Sequence, residues 1–135
     1  MPHLSTSQFT ERFISLVLGA RDLPKKPSDR HILFVSAVLR LEPGRQYAES
    51  ELNDKLMKWS DRFGRNFGLN HVTLRRFLVD EGYLRRDSYG KAYQLAVDAL
   101  PYTFDPALRE LDLEALIAEA RRARDARKQQ FMKKG

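Results

Sequence analysis

The chain contains no cysteine, so disulfides, thiolate metal sites and a cysteine nucleophile are excluded at once. Histidine is scarce: His3, His31 and His71 are scattered, with no metal-ligand spacing among them. The most apolar run, Phe13-Ile14-Ser15-Leu16-Val17-Leu18-Gly19-Ala20, is far short of a membrane span. A signal peptide wants a basic start, yet Glu11 precedes this run and no Lys or Arg lies before Arg12. The run therefore reads as a buried helix, and a cytoplasmic protein without a membrane partner is expected. A glycine-rich phosphate loop is missing as well, since Gly64 and Gly68 lack the lysine and the strand context. Glu49 and Glu51 fall on different sides of a helix, and no Ser-His-Asp order stands out. These absences argue against an enzyme, and no catalytic residue, metal ligand or cofactor is expected.

What is present suits one ordinary domain of 135 residues, 42% hydrophobic and 31% charged, globular rather than disordered. The net charge of +6 suggests a polyanionic partner. Its distribution is uneven. Residues 121–135 hold Arg121, Arg122, Arg124, Arg127, Lys128, Lys133 and Lys134 against Asp125 alone, which accounts for the whole excess. The preceding 120 residues carry 17 charges of each sign. Within that neutral body, residues 62–91 are locally basic. Arg62, Arg65, Arg75, Arg76, Arg85, Arg86 and Lys91 there oppose Asp80, Glu81 and Asp87, a local net of +4. Two basic surfaces are thus expected.

The first helix has a readable start, with Ser5 and Gln8 placed for a capping box and Leu4 with Phe9 for a hydrophobic staple. Phe9, Phe13, Leu16, Val17 and Ala20 follow at helical spacing, and the Leu23-Pro24 pair closes the segment. Asp29 or Ser28 is positioned to cap a second helix carrying Ile32, Leu33, Val35, Val38 and Leu39. After a turn at Leu41-Glu42-Pro43-Gly44-Arg45, residues 49–59 predict a third helix with Leu52, Leu56 and Trp59 on one face. Residues 60–69 read as a loop or broken helical turn with Phe63 and Phe67 inward. Asn70 caps a fourth helix that stops at Gly82. Residues 83–86 and 91–95 are strand-like, with Asp87-Ser88-Tyr89-Gly90 as the hairpin turn. Pro101 and Pro106 mark a linker, and from Ala107 to about Met132 the chain is strongly helix-forming.

Three helices (29–40, 49–59 and 70–81) followed by a hairpin at 83–95 have the order of a winged helix-turn-helix. The fold class expected is mainly α with a small β-hairpin, a winged helix-turn-helix-like domain with extra N- and C-terminal helices. Residues 1–22 would pack on the core, 23–98 would form the winged-helix-like domain, and 99–135 would be a linker and a basic C-terminal helix.

The run Tyr47, Glu49, Glu51, Leu52, Asn53, Leu56, then Thr73-Leu74-Arg75-Arg76, Leu78-Val79-Asp80, Leu84, Arg86, Gly90 and Tyr93 resembles domain-of-unknown-function family 2087. Leu23-Pro24 resembles that family's usual entry into the domain, so the resemblance spans about residues 23–95. It implies a small bacterial helical domain of winged-helix-like shape, alone or joined to helix-turn-helix regulators, and it brings no catalytic residue. The chain departs from the family's pattern at Ala48, where Thr or Ser is usual, and at Asn70-His71, where Asp-His is usual.

On the fourth helix, Phe77 and Leu78 flank Leu74 and define the buried face. Arg76 then points outward between Val72 and Val79, with Thr73, Arg75 and Asp80 on the shoulders. An outward arginine between small apolar groups can read guanine and a thymine methyl. The bland alternative is an Arg76–Asp80 ion pair on a solvated face. His71 suits a half-buried core position, and Tyr83, Tyr89 and Tyr93 either stack on bases or cover the core. The candidate nucleic-acid-binding residues are Asn70, Thr73, Arg75 and Arg76 for the groove, and Arg85, Arg86 and Lys91 for phosphates. Arg121, Arg122 and Arg124 on the last helix join them. Strand alternation puts Arg85 and Arg86 on opposite faces, so one of them is expected to pair internally. The leading expectation is a DNA-binding module that takes double-stranded DNA, a bacterial transcription regulator or accessory factor. The alternative is a protein-interaction or dimerisation module, docking a partner or a second copy through the N- or C-terminal helix without nucleic acid.

Overall fold

The computed structural model describes residues 3–87, 89, 91–96, 103, 104 and 106–133. It is mainly helical. A short strand β1 (His3–Leu4) leads into helix α1 (Thr6–Gly19). Ser5 starts α1 as its spacing predicts: its hydroxyl accepts from the Gln8 amide at 3.2 Å, and Gln8 Oε1 accepts from the Ser5 amide at 3.1 Å. The Leu4 side chain of the expected staple lies outside the described residues. Phe9, Phe13, Leu16 and Val17 form the buried face of α1.

Helix α2 (Pro27–Val38) begins earlier than the sequence suggests. Neither Ser28 nor Asp29 is its cap, because Pro27 takes the first helical position, where its missing N–H costs nothing and its fixed φ suits the helix. Asp29 is buried and accepts two hydrogen bonds from Arg12 of α1, Nε to Oδ1 at 2.6 Å and Nη2 to Oδ2 at 2.7 Å. That bidentate pair holds the Asp29 carboxyl below the usual carboxylate range, the hydrogen bond being the main cause.

Strand β2 (Gln46–Ala48), absent from the sequence reading, precedes helix α3 (Glu49–Trp59). The chain then widens into a single π-type turn, Ser60–Gly64, and tightens into a 3-10 turn, Arg65–Phe67. Gly64 is there for space: a Cβ would stand 2.8 Å from the Leu69 carbonyl oxygen and 3.0 Å from the Trp59 ring. Phe63 and Phe67 are buried as expected, and Phe63 meets Phe13 edge-on at 5.3 Å between ring centres.

Helix α4 (His71–Asp80) ends in a Schellman motif. Tyr83 N donates to Leu78 O at 2.8 Å and Gly82 N to Val79 O at 3.3 Å, with Gly82 at φ +89°. The motif turns the chain straight into strands β3 (Leu84–Arg86) and β4 (Ala92–Leu95). At the hairpin, Asp87 N donates to Ala92 O and Lys91 N to Asp87 Oδ1. Ser88 and Gly90 of the expected turn lie outside the described residues.

The antiparallel sheet has the order β2-β4-β3, with Tyr47 opposite Tyr93 and Leu84 opposite Leu95. One sheet face, bearing Tyr47, Leu84, Tyr93 and Leu95, is buried; the other carries Gln46, Arg85 and Gln94. This element order and strand pairing are compatible with a winged helix-turn-helix.

Beyond the sheet, β5 (Thr103–Phe104) pairs in parallel with β1, with His3 opposite Thr103 and Leu4 opposite Phe104. Pro101 of the expected linker is outside the described residues. A single helix from Ala107 does not form. A 3-10 turn (Pro106–Glu110) comes first, and α5 (Leu113–Lys133) starts only after Asp112, whose Oδ1 accepts from Ala115 N. Leu113 and Ile117 are buried, whereas residues 121–132 are all exposed. Among the described residues no helix is long and apolar enough to cross a membrane.

Candidate nucleic-acid interface

Asn70 sets the direction of α4, because its Oδ1 accepts from the Thr73 amide at 2.8 Å. Thr73 is half-buried. Leu74 and Leu78 are fully buried, so Val72, Arg76 and Asp80 face outward, as the helical wheel requires. Arg76 and Asp80 form no ion pair, and no hydrogen bond holds Arg76 among the described residues.

Arg75 is placed quite differently. Its guanidinium bonds Asn53 Oδ1, pairs with Glu49 Oε1 at 3.2 Å and lies 5.8 Å from the centre of the Tyr93 ring. Only 19% of its side chain is exposed. It ties α4 to α3 and to the wing strand, and Glu49 balances its charge within the chain. Sequence spacing gives no sign of this, since the partners lie 22 and 26 residues away.

On the hairpin, Arg86 stands opposite Tyr93 in register, on the face toward α4, and is exposed. Among the described residues it too has no hydrogen bond or ion pair. Arg85 lies on the other face, beside Gln94, and has an intramolecular interaction of its own. The alternation thus separates the two arginines. Lys91 is exposed at the tip, where Tyr89 is 83% exposed, while Tyr83 and Tyr93 belong to the core. Tyr83 also shares a hydrogen bond with His31 Nδ1, and burial pushes the His31 pKa down.

These placements converge on one cleft of about 240 Å³ between α4, the wing and the start of α3. Arg76, Arg86, Val72 and Val79 line it together with Asp80 and the Arg75–Glu49 pair. With Arg75 neutralised by Glu49, two arginines face one aspartate. Asn70, Thr73, Lys91 and Arg85 do not line the cleft.

Arg121, Arg122 and Arg124 do not line the cleft. They are exposed on α5, which packs along α1. Arg124 Nη1 donates to the Leu18 carbonyl at 3.3 Å, and Asn66 Nδ2 donates to the Val17 carbonyl at 3.3 Å. Both are orphan acceptors in the last turn of α1, which has no basic residue of its own. Among the described residues no cluster of three or more His, Asp or Glu side chains is placed to hold a metal ion.

The sequence profile of a family described as uncharacterized protein conserved in bacteria, DUF2087, matches residues 21–95. That span runs from just before α2 to the last residue of β4 and so contains the whole cleft. No curated protein and no solved structure matches the chain. The match covers more than half of the sequence, and the chain belongs to the DUF2087 family.

Proposed function

We propose that the chain is a winged-helix-like DNA-binding module that lays α4 into the major groove of double-stranded DNA and sets the wing against its backbone. The observation that carries this reading is the pairing of Arg76 and Arg86 in one cleft. They come from two different elements, both are exposed, and neither has an internal partner among the described residues. Val72 and Val79 beside Arg76 supply the small apolar surface that a thymine methyl favours. Arg86 and Lys91 on the wing suit phosphate contacts, which position a protein without reading sequence, whereas Arg85 lies on the other sheet face. The module would serve a bacterial transcription regulator or accessory factor.

Duplex DNA titrated at several salt concentrations tests it, using the full chain and a chain ending at Ala120. The shorter chain keeps Leu113 and Ile117 but loses the exposed basic end. Binding that survives the cut, weakens with salt, falls by about 1–3 kcal/mol on Arg76→Ala and loses about 0.9 in log–log salt slope on Arg86→Ala supports groove reading by α4 with the wing on the backbone. A shorter chain that does not bind even at low salt rejects it.

A second reading, a protein-interaction module, has a separate observation in its favour. Ile14, Leu18, Ala123 and the exposed Phe131 form an open apolar lane between α1 and α5, edged by Arg124, Arg127 and Lys128. With three cations on that edge, the matching occupant is an acidic segment with an apolar face. This reading gains if Phe131→Asp abolishes partner capture while DNA binding is absent in both chains.

A further inference from the structure

We propose that a second cavity, enclosed by α2, α3, the π turn and the start of α5, binds a small organic anion with an apolar body, of the aromatic carboxylate class. Its volume is about 370 Å³, within the range of roughly 300–1,000 Å³ usual for small-ligand sites. It shares no lining residue with the α4–wing cleft, so it stands whether or not DNA binds there.

The floor is aromatic and aliphatic: Trp59, Phe63, Leu41 and Leu113 line it. The indole ring is fixed in place, because Trp59 Nε1 donates to Ser36 Oγ at 2.9 Å and Ser36 in turn donates to the Leu33 carbonyl. With its N–H directed to Ser36, the indole offers carbon surface to the cavity, the surface on which an aromatic ring stacks.

The rim is cationic. Arg40, Lys55, Lys58 and Arg62 line it against Asp112 and Glu114. Both acids are engaged within the chain: Asp112 caps α5, and Glu114 pairs with Arg62. Among the described residues Arg40 has no carboxylate partner. Its guanidinium is oriented instead by two backbone carbonyls, those of Arg109 at 3.2 Å and Leu111 at 2.5 Å. Those bonds use two of its five N–H donors, so an oriented cation is left over an apolar floor. Lys58 is exposed, and its side chain has no hydrogen bond or ion pair among the described residues. A carboxylate on Arg40 and Lys58, with its ring on Trp59, satisfies both halves of the site.

Trp59 is the sole tryptophan, so the protein gives a single indole N–H resonance that reports on the cavity. The test titrates the full-length ¹⁵N-labelled chain with 2-naphthoate, and in parallel with the neutral 2-naphthalenemethanol. The expected result is a saturable one-to-one shift of the indole resonance with naphthoate and about tenfold weaker binding of the alcohol. Lys58→Glu should weaken naphthoate about tenfold and leave the alcohol unchanged. Ala37→Phe, which fills the cavity, should abolish both with the far-ultraviolet circular dichroism unaltered. The absence of a saturable shift at millimolar naphthoate, or equal affinity for acid and alcohol, overturns the proposal. So does a Lys58→Glu chain that binds naphthoate as the native chain does.

Discussion

Arg75 and Arg76 are adjacent in sequence and separated by about 100° around α4, and that rotation gives them different work. Arg75 meets Asn53 and Glu49, while Arg76 meets solvent. Losing charged hydrogen bonds from a mostly covered side chain makes Arg75→Ala cost about 1–2 kcal/mol in urea unfolding. Arg76→Ala should stay within about 0.5 kcal/mol, as an exposed substitution without partners does. Equal losses for the two would contradict these placements. The wheel is legible in the sequence and correctly turns Arg76 outward. The partner of Arg75 is not legible, because it depends on which edge of α3 crosses α4.

His31 makes a further prediction at this scale. Burial lowers its pKa below the ordinary histidine value, so the unfolded chain takes up a proton first as pH falls. Stability should therefore begin to drop near pH 6.5, the unfolded value, and continue down to the folded value. Melting temperatures between pH 8 and pH 5 should show this decline in the native chain and a flatter profile in His31→Gln. Asp29 acts lower on the scale. Its depressed pKa gives stability that is present at neutral pH and lost only below about pH 4.

At the scale of elements, the caps decide how much can be read in advance. Ser5-Gln8 and Asn70 announce α1 and α4 because side-chain oxygen and backbone amide are three residues apart. The start of α2 is misread for the same kind of reason. Ser28 and Asp29 have capping side chains, but Pro27 fixes the start and Arg12 draws Asp29 away. Strand β2 is three residues long, too short for alternation to show, and it exists because β4 offers it an edge. Ala48 sits at the N-cap of α3, with φ −64° and ψ 153°. Alanine has no side-chain acceptor, so only the reciprocal bond forms, from Ala48 N to Glu51 Oε1 at 3.4 Å. Ala48→Ser should complete the box and raise stability by about 0.5–2 kcal/mol, read as a higher urea midpoint at unchanged slope. No gain would mean that the α3 start is already satisfied in another way.

For the whole molecule, composition indicates a basic protein, and the structure divides that charge among three surfaces. Of the tail's basic residues, Arg121, Arg122, Arg124, Arg127 and Lys128 lie exposed on α5, where Arg124 also closes α1. The local +4 of residues 62–91 is reduced by pairing: Arg62 with Glu114, Arg75 with Glu49. What survives beside α4 is Arg76 and Arg86 in one cleft, with Lys91 at the wing tip. The cationic rim around Trp59 is assembled from the turn after α2, from α3 and from the π turn, so no local stretch of sequence announces it.

The central claim is that α4 and the wing together form a DNA surface. Its most direct test is the amide spectrum of the full-length ¹⁵N-labelled chain, titrated with a short mixed-sequence duplex at low salt. The account predicts shifts concentrated at residues 70–79 and 84–91, abolished by Arg76→Glu with Arg86→Glu. Shifts confined to residues 113–133, or no shifts anywhere, would contradict it.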